Sequence, residues 1–271
     1  MNSKTLAEEK LLSRDQWGQD PCGAITGKEH KVGTRAFFDE VERFRYEEYS
    51  PWMPGVMGFK EYAGKDLLEV GCGMGTDLLQ FVRGGARVTA LDLTPRHIEI
   101  SRKRFAEYGE NANFLLSDAE NLPIADESFD VVYSNGVLHH TPDTAGAIKE
   151  IHRVLRSGGT AIVMLYNRNS LYFWAGLMIK RGLLKAELLR FSPDAIMSRY
   201  VEYTEHGVLP LVKAYTRRQV FKLFAPFAEV NIEVEQITRG ELQFLSRFIS
   251  DKTFGRLRRS VGWNLIIKAK K

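Results

Sequence analysis

Residues 67–77 read LLEVGCGMGTD. An apolar run meets three glycines separated by single residues, and an acid closes the stretch. A buried strand running into such a loop brings backbone N–H groups close to a nucleotide. Which nucleotide stays open here, because NAD, FAD, ATP and S-adenosylmethionine all use glycine-rich turns after a strand. The dinucleotide fingerprint G-x-G-x-x-G is met at Gly71 and Gly73, but Thr76 stands where its third glycine should, and Gly75 comes one residue early.

Working outward, the chain alternates strictly. DLLEV (66–70) predicts a strand and MGTDLLQFVRGG (74–85) a helix; ARVTALD (86–92) and PRHIEISRKRFAEYG (95–109) repeat the pair. NFLLSD (113–118) and FDVVYSN (129–135) follow as strands, DTAGAIKEIHRVLRSGG (143–159) as a helix and TAIVMLYN (160–167) as a strand. Short connections between alternating elements mean parallel βαβ units, hence an α/β sheet covered on both faces. The rhythm breaks after Asn167, where 168–215 hold no obvious strand but carry LYFWAGLMIKRGLLKAELLRF (171–191). It resumes with a helix at TRRQVFKLFAPF (216–227) and a strand at AEVNIEVEQI (228–237). A second irregular basic stretch (239–261) precedes the last strand, WNLIIKAKK (263–271).

Upstream, residues 1–60 begin irregularly, and FFDEVERFRYEEY (37–49) predicts a helix that stops at Pro51. The expected organisation is therefore an N-terminal cover over 1–60 and one domain over 61–271, with insertions at about 168–215 and 239–260. Insertions at the carboxyl ends of strands are where a substrate cover sits.

Composition sets the bounds. The 271 residues are 44% hydrophobic and 27% charged, an ordinary globular balance. Two cysteines, Cys22 and Cys72, supply neither a disulfide framework nor a cysteine-rich metal site. The N-terminus has no signal-like apolar core, and LYFWAGLMI is far short of the ~20 residues that span a bilayer. A cytoplasmic protein is expected. The net charge of +4 conceals an asymmetry: residues 1–167 carry −6 and residues 168–271 carry +10. A basic surface of that kind is either a solvated face or one for an anionic substrate, a membrane surface or nucleic acid.

The strand ends narrow the nucleotide. Asp92 closes the second strand, where an acid accepts from two ribose hydroxyls. The third strand ends SDAENLP, placing Asp118 to accept from an adenine amine and the Ala119 N–H to donate to a ring nitrogen. The set E-x-G-x-G-x-G, Asp92, D-A-E, FDVVYS and R-S-G-G, in that order, resembles the class I S-adenosylmethionine-dependent methyltransferases, and most closely the broad group with the quinone-biosynthesis C-methyltransferases. The likeness is strong over residues 65–167 and weak over the final helix and two strands. Its one departure is Ser157, where the family usually has proline.

The resemblance implies a Rossmann-like, mostly parallel seven-stranded sheet with an antiparallel last strand, helices on both faces and inserted lid segments. It implies that Glu69, Gly71, Cys72, Gly73 and Gly75 cradle the donor's amino-acid part, with Asp77 bracing the loop. Asp92, beside Leu93, holds the ribose, Asp118, Ala119 and Glu120 flank the adenine, and Ser134 meets the methionine end.

A sulfonium methyl is already activated, so the protein must mainly align a nucleophile behind it and exclude water. A general base is needed only for an acceptor protonated at neutral pH. The candidate is His139 in SNGVLHHTPD, with His140 beside it, against the view that the pair only shapes the loop. No metal is expected, because no third ligand lies at a helpful spacing in the sequence. Trp17, Tyr46, Tyr49 and Tyr166 are candidate acceptor-pocket residues, and Arg45 or Tyr46 could reach the donor's carboxylate. Glu202, Tyr203 and His206 are supported by position alone. The expected function is transfer of a methyl group to a small, apolar or anionic acceptor, with contact to a membrane surface a further possibility. RNA methylation and a non-catalytic donor-binding module are the alternatives. The site lacks the Pro-Pro-aromatic motif of exocyclic-amine methylases after the fourth strand, and no cysteine follows Cys72 to serve a C5-cytosine enzyme.

Overall fold

The computed structural model describes residues 5–19, 21–202, 210–238, 240, 242 and 247–271. Helix α1 (Leu6–Gln19) is followed by α2 (Arg35–Arg43), which widens into a π-helical stretch, Phe44–Tyr49, before the short α3 (Met53–Met57). Then come β1 (Asp66–Val70), α4 (Thr76–Arg83), β2 (Arg87–Asp92), α5 (Pro95–Tyr108), β3 (Asn113–Leu116), β4 (Phe129–Asn135), α6 (Thr144–Val154) and β5 (Leu155–Asn167). A π-helical segment, Tyr172–Leu183, leads to α7 (Pro193–Tyr200), the two-residue β6 (Ala214–Tyr215), α8 (Arg217–Leu223), β7 (Glu229–Glu235), α9 (Asp251–Val261) and β8 (Asn264–Lys270).

The strands form one sheet in the order β3-β2-β1-β4-β5-β8-β7. All pair parallel up to β5, while β8 runs antiparallel to both β5 and β7. The order reverses between β1 and β4, so their carboxyl ends open a crevice at the switch point. The expected seven strands are present. The eighth is β6, which adds two residues beside the end of β5 inside the first insertion.

Both faces are covered, so the central strands read as near-continuous apolar runs rather than alternating ones. One core packs Leu68, Val70, Val132 and Val163 against α6 and α8 side chains such as Ile148, Ile151 and Val220. The other packs Leu67, Val131, Tyr133 and Ile162 against Leu78, Phe81, Phe59 and Met57. Each fully buried Leu or Phe contributes roughly 1.5–3 kcal/mol, and these two layers carry the strands whose ends form the crevice. A third, smaller cluster (Phe173, Leu177, Ile196, Met197, Val212 and Trp263) seats the first insertion on the sheet edge.

The N-terminal segment departs from the expectation of an irregular start. α1 is a helix of fourteen residues whose buried positions are the polar Ser13 and Gln16. It carries no apolar stripe to announce it. Lys10 instead ties it to the sheet through ion pairs with Asp118, at 2.6 Å, and Glu120.

Candidate functional site

The glycine loop leaves β1 with Gly71, Gly73 and Gly75 all at positive φ. A Cβ on Gly71 would meet the Val137 side chain at 2.3 Å, whereas one on Gly73 would meet nothing within 4 Å. Gly71 is thus needed for packing; at Gly73 the open space lies on the crevice side, where a ligand can approach the backbone. Gly75 stands outside the crevice wall, as the left-handed residue that starts α4. Under the loop the fully buried Arg104 donates from Nε to the Met74 carbonyl at 2.8 Å. Burial pulls that guanidinium down to about 10.

Asp92, at the end of β2, is pinned before any ligand arrives. It accepts from Gly73 N–H (Oδ2, 2.9 Å), from Thr94 N–H (Oδ1, 2.9 Å) and from His97 Nδ1 (Oδ1, 3.1 Å). Since a carboxylate only accepts, the His97 proton sits on Nδ1. Oδ2 accepts only the Gly73 bond among these, and Asp92 lines the crevice.

Asp77, in the first turn of α4, is the hub of a buried network. Arg45 donates to it from Nε and Nη2 at 2.7 and 2.6 Å, Tyr46 and Tyr133 from their hydroxyls at 2.6 and 2.8 Å, and Asn135 from its amide at 3.1 Å. Burial alone would raise the Asp77 carboxyl, but Arg45 and these hydrogen bonds outweigh it and hold it below the usual carboxylate range. Glu69 has the opposite fate. Burial first, then repulsion from Asp77, pushes it well above the ordinary value, and its Oε2 is buried without a partner.

One cavity of about 460 Å³ joins these features and continues toward the first insertion. Of the expected donor-site residues, Glu69, Gly71, Cys72, Gly73, Asp92, Leu93, Asp118 and Ala119 line it. Glu120 does not. It is turned away to pair with Lys10 and to accept from Thr141 and the Asp143 N–H. Ser134 is wholly buried behind the wall, where it donates to the Val70 carbonyl at 2.9 Å. The orphaned Glu69 carboxylate oxygen, the open flank of Gly73 and the pinned Asp92 form a donor set that fits an adenosine-linked amino acid carrying an ammonium group.

The far end of the cavity is lined by Trp17, Tyr49, Met53, Met164, Tyr166 and Trp263, with His140 and Glu202. Tyr166 stacks on Trp263 at 4.5 Å and donates its hydroxyl to Glu202 at 2.5 Å. His140 Nδ1 lies 2.7 Å from the Leu211 carbonyl, so that nitrogen carries a proton; Nε2 lies 3.6 Å from Glu202. The candidates Tyr46 and His139 stand outside this wall. Tyr46 is spent on Asp77, and Arg45 meets the same carboxylate from the cavity edge. His139 is fully buried behind His140, its ring 3.8 Å from that of Tyr166. Burial and then the neighbouring His140 hold its imidazole far below the usual range, which keeps it neutral.

Sequence spacing missed Glu202 as a partner of the histidines. The chain folds it back so that the ligand atoms of His139, His140 and Glu202 lie within 4.8 Å of one another. Tyr203 and His206 lie outside the described residues. Lys10, Ser13, Cys22 and Trp263 line the cavity without having been singled out for it.

Residues 68–163 match the family model described as a methyltransferase domain. The chain is 30% identical to a ubiquinone biosynthesis O-methyltransferase of Methylocella silvestris, over 62% of this chain and 65% of that one. It is 33% identical to a demethylmenaquinone methyltransferase of Staphylococcus epidermidis, over 44% of this chain and 51% of that one. It thus spans less than two thirds of the length of these curated relatives. A Burkholderia thailandensis 1,6-didemethyltoxoflavin-N1-methyltransferase, solved with its acceptor and S-adenosylhomocysteine, shares the fold at 15% identity. Its TM-score is 0.55, with all of this chain and 92% of that one covered.

Proposed function

We propose that this chain, which belongs to the class I S-adenosylmethionine-dependent methyltransferases, methylates a small, flat acceptor bearing a hydroxyl group. One observation carries the reading: a single cavity joins the glycine loop, Asp92 and Asp118 at one end to an aromatic chamber with a polar corner at the other. S-adenosylmethionine supplies a methyl group already activated on a sulfonium. The residues then have to hold, align and keep out water.

Glu69, with Gly71, Cys72 and Gly73, holds the amino-acid part, and the unpartnered Glu69 oxygen receives the ammonium. Asp92 and Leu93 hold the ribose, and Asp118 and Ala119 the adenine. Residues 1–60 act as a cover, with α1 latched over the adenine end by Lys10. Trp17, Tyr49, Met164, Tyr166 and Trp263 form the acceptor walls. Such flat aromatic surfaces favour a ring, and two curated relatives are named for ubiquinone and demethylmenaquinone chemistry. At the polar corner His140, beside Glu202, would take the acceptor's hydroxyl proton on Nε2 and so free that oxygen for alkylation. This role passes to His140 from His139, which is sealed behind the wall. Both cysteines are free, which suits a reducing cytoplasm.

A screen of phenolic and quinol acceptors with labelled methyl donor tests the reading. Transfer to a hydroxylated ring, with S-adenosylhomocysteine as co-product, is expected. Transfer to RNA alone would overturn it.

A further inference from the structure

The first insertion has two unlike sides. Phe173, Leu177 and Met178 point inward and pack with Ile196, Met197, Val212 and Trp263. Outward stand Trp174, Ile179, Leu183, Leu184 and Leu189, with Leu184 78% and Leu189 86% exposed. Trp174, Ile179 and Leu184 are five residues apart, and the Leu184 N–H bonds to the Ile179 carbonyl at 2.9 Å. The widened i→i+5 helix therefore keeps them on one side. Among them Lys180, Lys185 and Arg190 are exposed. The sole acid of residues 171–190, Glu187, accepts the Tyr200 hydroxyl at 2.5 Å. So many large exposed apolar side chains in one short segment mark an interaction surface rather than ordinary surface scatter.

We propose that this face docks on an anionic lipid bilayer, with the aliphatic side chains entering the headgroup–acyl boundary and the cations among them meeting lipid phosphates. Apolar and cationic side chains interleaved on one helix face suit an interfacial helix lying in the membrane plane. No helix among the described residues is long and apolar enough to cross a membrane, so the contact is superficial. A second copy of the chain is a poorer occupant. A twofold contact sets the same patch against itself and so brings Lys180, Lys185 and Arg190 of one copy against those of the other. A second basic element stands nearby. α9 exposes Lys252, Arg256 and Arg259, and Trp263, two residues after it, joins the insertion's own core.

Docking would leave the acceptor chamber next to the lipid, because Tyr172 and Trp263 line the chamber and also support the insertion. The inference is independent of which acceptor is methylated.

The test is co-sedimentation of the full chain with vesicles of phosphatidylcholine, alone or mixed with phosphatidylglycerol. Binding to the mixed vesicles should be about tenfold tighter and should weaken as salt is raised. The double variant Leu184→Asp/Leu189→Asp should lose that binding by about tenfold or more, with melting temperature and S-adenosylhomocysteine affinity unchanged. Equal partitioning of wild type and variant, or no pelleting with either vesicle, overturns the proposal. So does concentration-dependent dimerisation in solution that the same two substitutions abolish, which would make the face a contact between copies.

Discussion

Arg45 grips Asp77 with two parallel hydrogen bonds, Nε to Oδ1 at 2.7 Å and Nη2 to Oδ2 at 2.6 Å. The pair joins the π-helical stretch after α2 to the first turn of α4, and so ties the segment before β1 to the helix that follows the glycine loop. Asp77 is nearly sealed from water, and all five donors around it depend on its charge. Removing one partner of such a pair leaves the other uncompensated. Asp77→Ala should therefore lower stability by about 3 kcal/mol in urea unfolding. A loss under about 1 kcal/mol, the range of an exposed ion pair, would show that the network is not structural.

Glu69 should act on donor affinity rather than stability. Its buried Oε2 has no partner, and burial and two nearby acids already disfavour its charge. An arriving ammonium relieves that. Glu69→Gln should weaken S-adenosylmethionine binding by about tenfold, a difference of ~1.4 kcal/mol, with the fold kept or slightly more stable. Calorimetric titration of both proteins reads this directly; unchanged affinity would remove Glu69 from the donor site.

His139 should write a pH signature on stability. Its folded-state value is far below that of an exposed imidazole, because burial and His140 oppose its charge. The unfolded chain therefore binds one more proton below pH ~6.5, and the stabilising effect present above that pH is lost as pH falls. The slope should reach about 1.4 kcal/mol per pH unit from this group. His139→Phe, which keeps a ring against Tyr166, should flatten the acid limb of unfolding free energy between pH 6.5 and 5. An identical limb in both proteins would show that His139 is not the group responsible.

The polar corner should control turnover and not donor binding. His140→Gln or Glu202→Gln should cut kcat by about 10²–10⁴-fold on a hydroxylated acceptor while leaving S-adenosylhomocysteine affinity intact. Dialysis against a chelator should leave the rate unchanged. A rate lost on chelation and restored by a divalent ion would instead make His139, His140 and Glu202 a metal site, since their ligand atoms already converge.

How much of this was legible depended on where the information sat along the chain. The sheet was legible because strands buried on both faces, such as DLLEV and TAIVMLYN, read as apolar runs between glycine punctuation. Gly71, Gly73, Asp92 and Asp118 were legible as candidates because each stands at or just past the carboxyl end of a strand. Helix α1 was not, for its buried positions are Ser13 and Gln16, and a helix held by a lysine latch leaves no period to find. The His140–Glu202 pair joins two distant loops, which no local spacing encodes. That only His140 of the adjacent pair lines the cavity was not legible either, because the two residues have the same chemistry and no spacing tells which one faces it.

Donor binding through Asp92 is the most direct test of the whole site. S-adenosylhomocysteine should raise the wild-type melting temperature, adding ~2.7 kcal/mol at a hundred times its dissociation constant, and NAD should not. Asp92→Ala should lose most of that affinity in calorimetry, since the carboxylate is pinned by Gly73, Thr94 and His97 and lines the crevice. No thermal response in the wild type, or full affinity in Asp92→Ala, would contradict the assignment of the donor site.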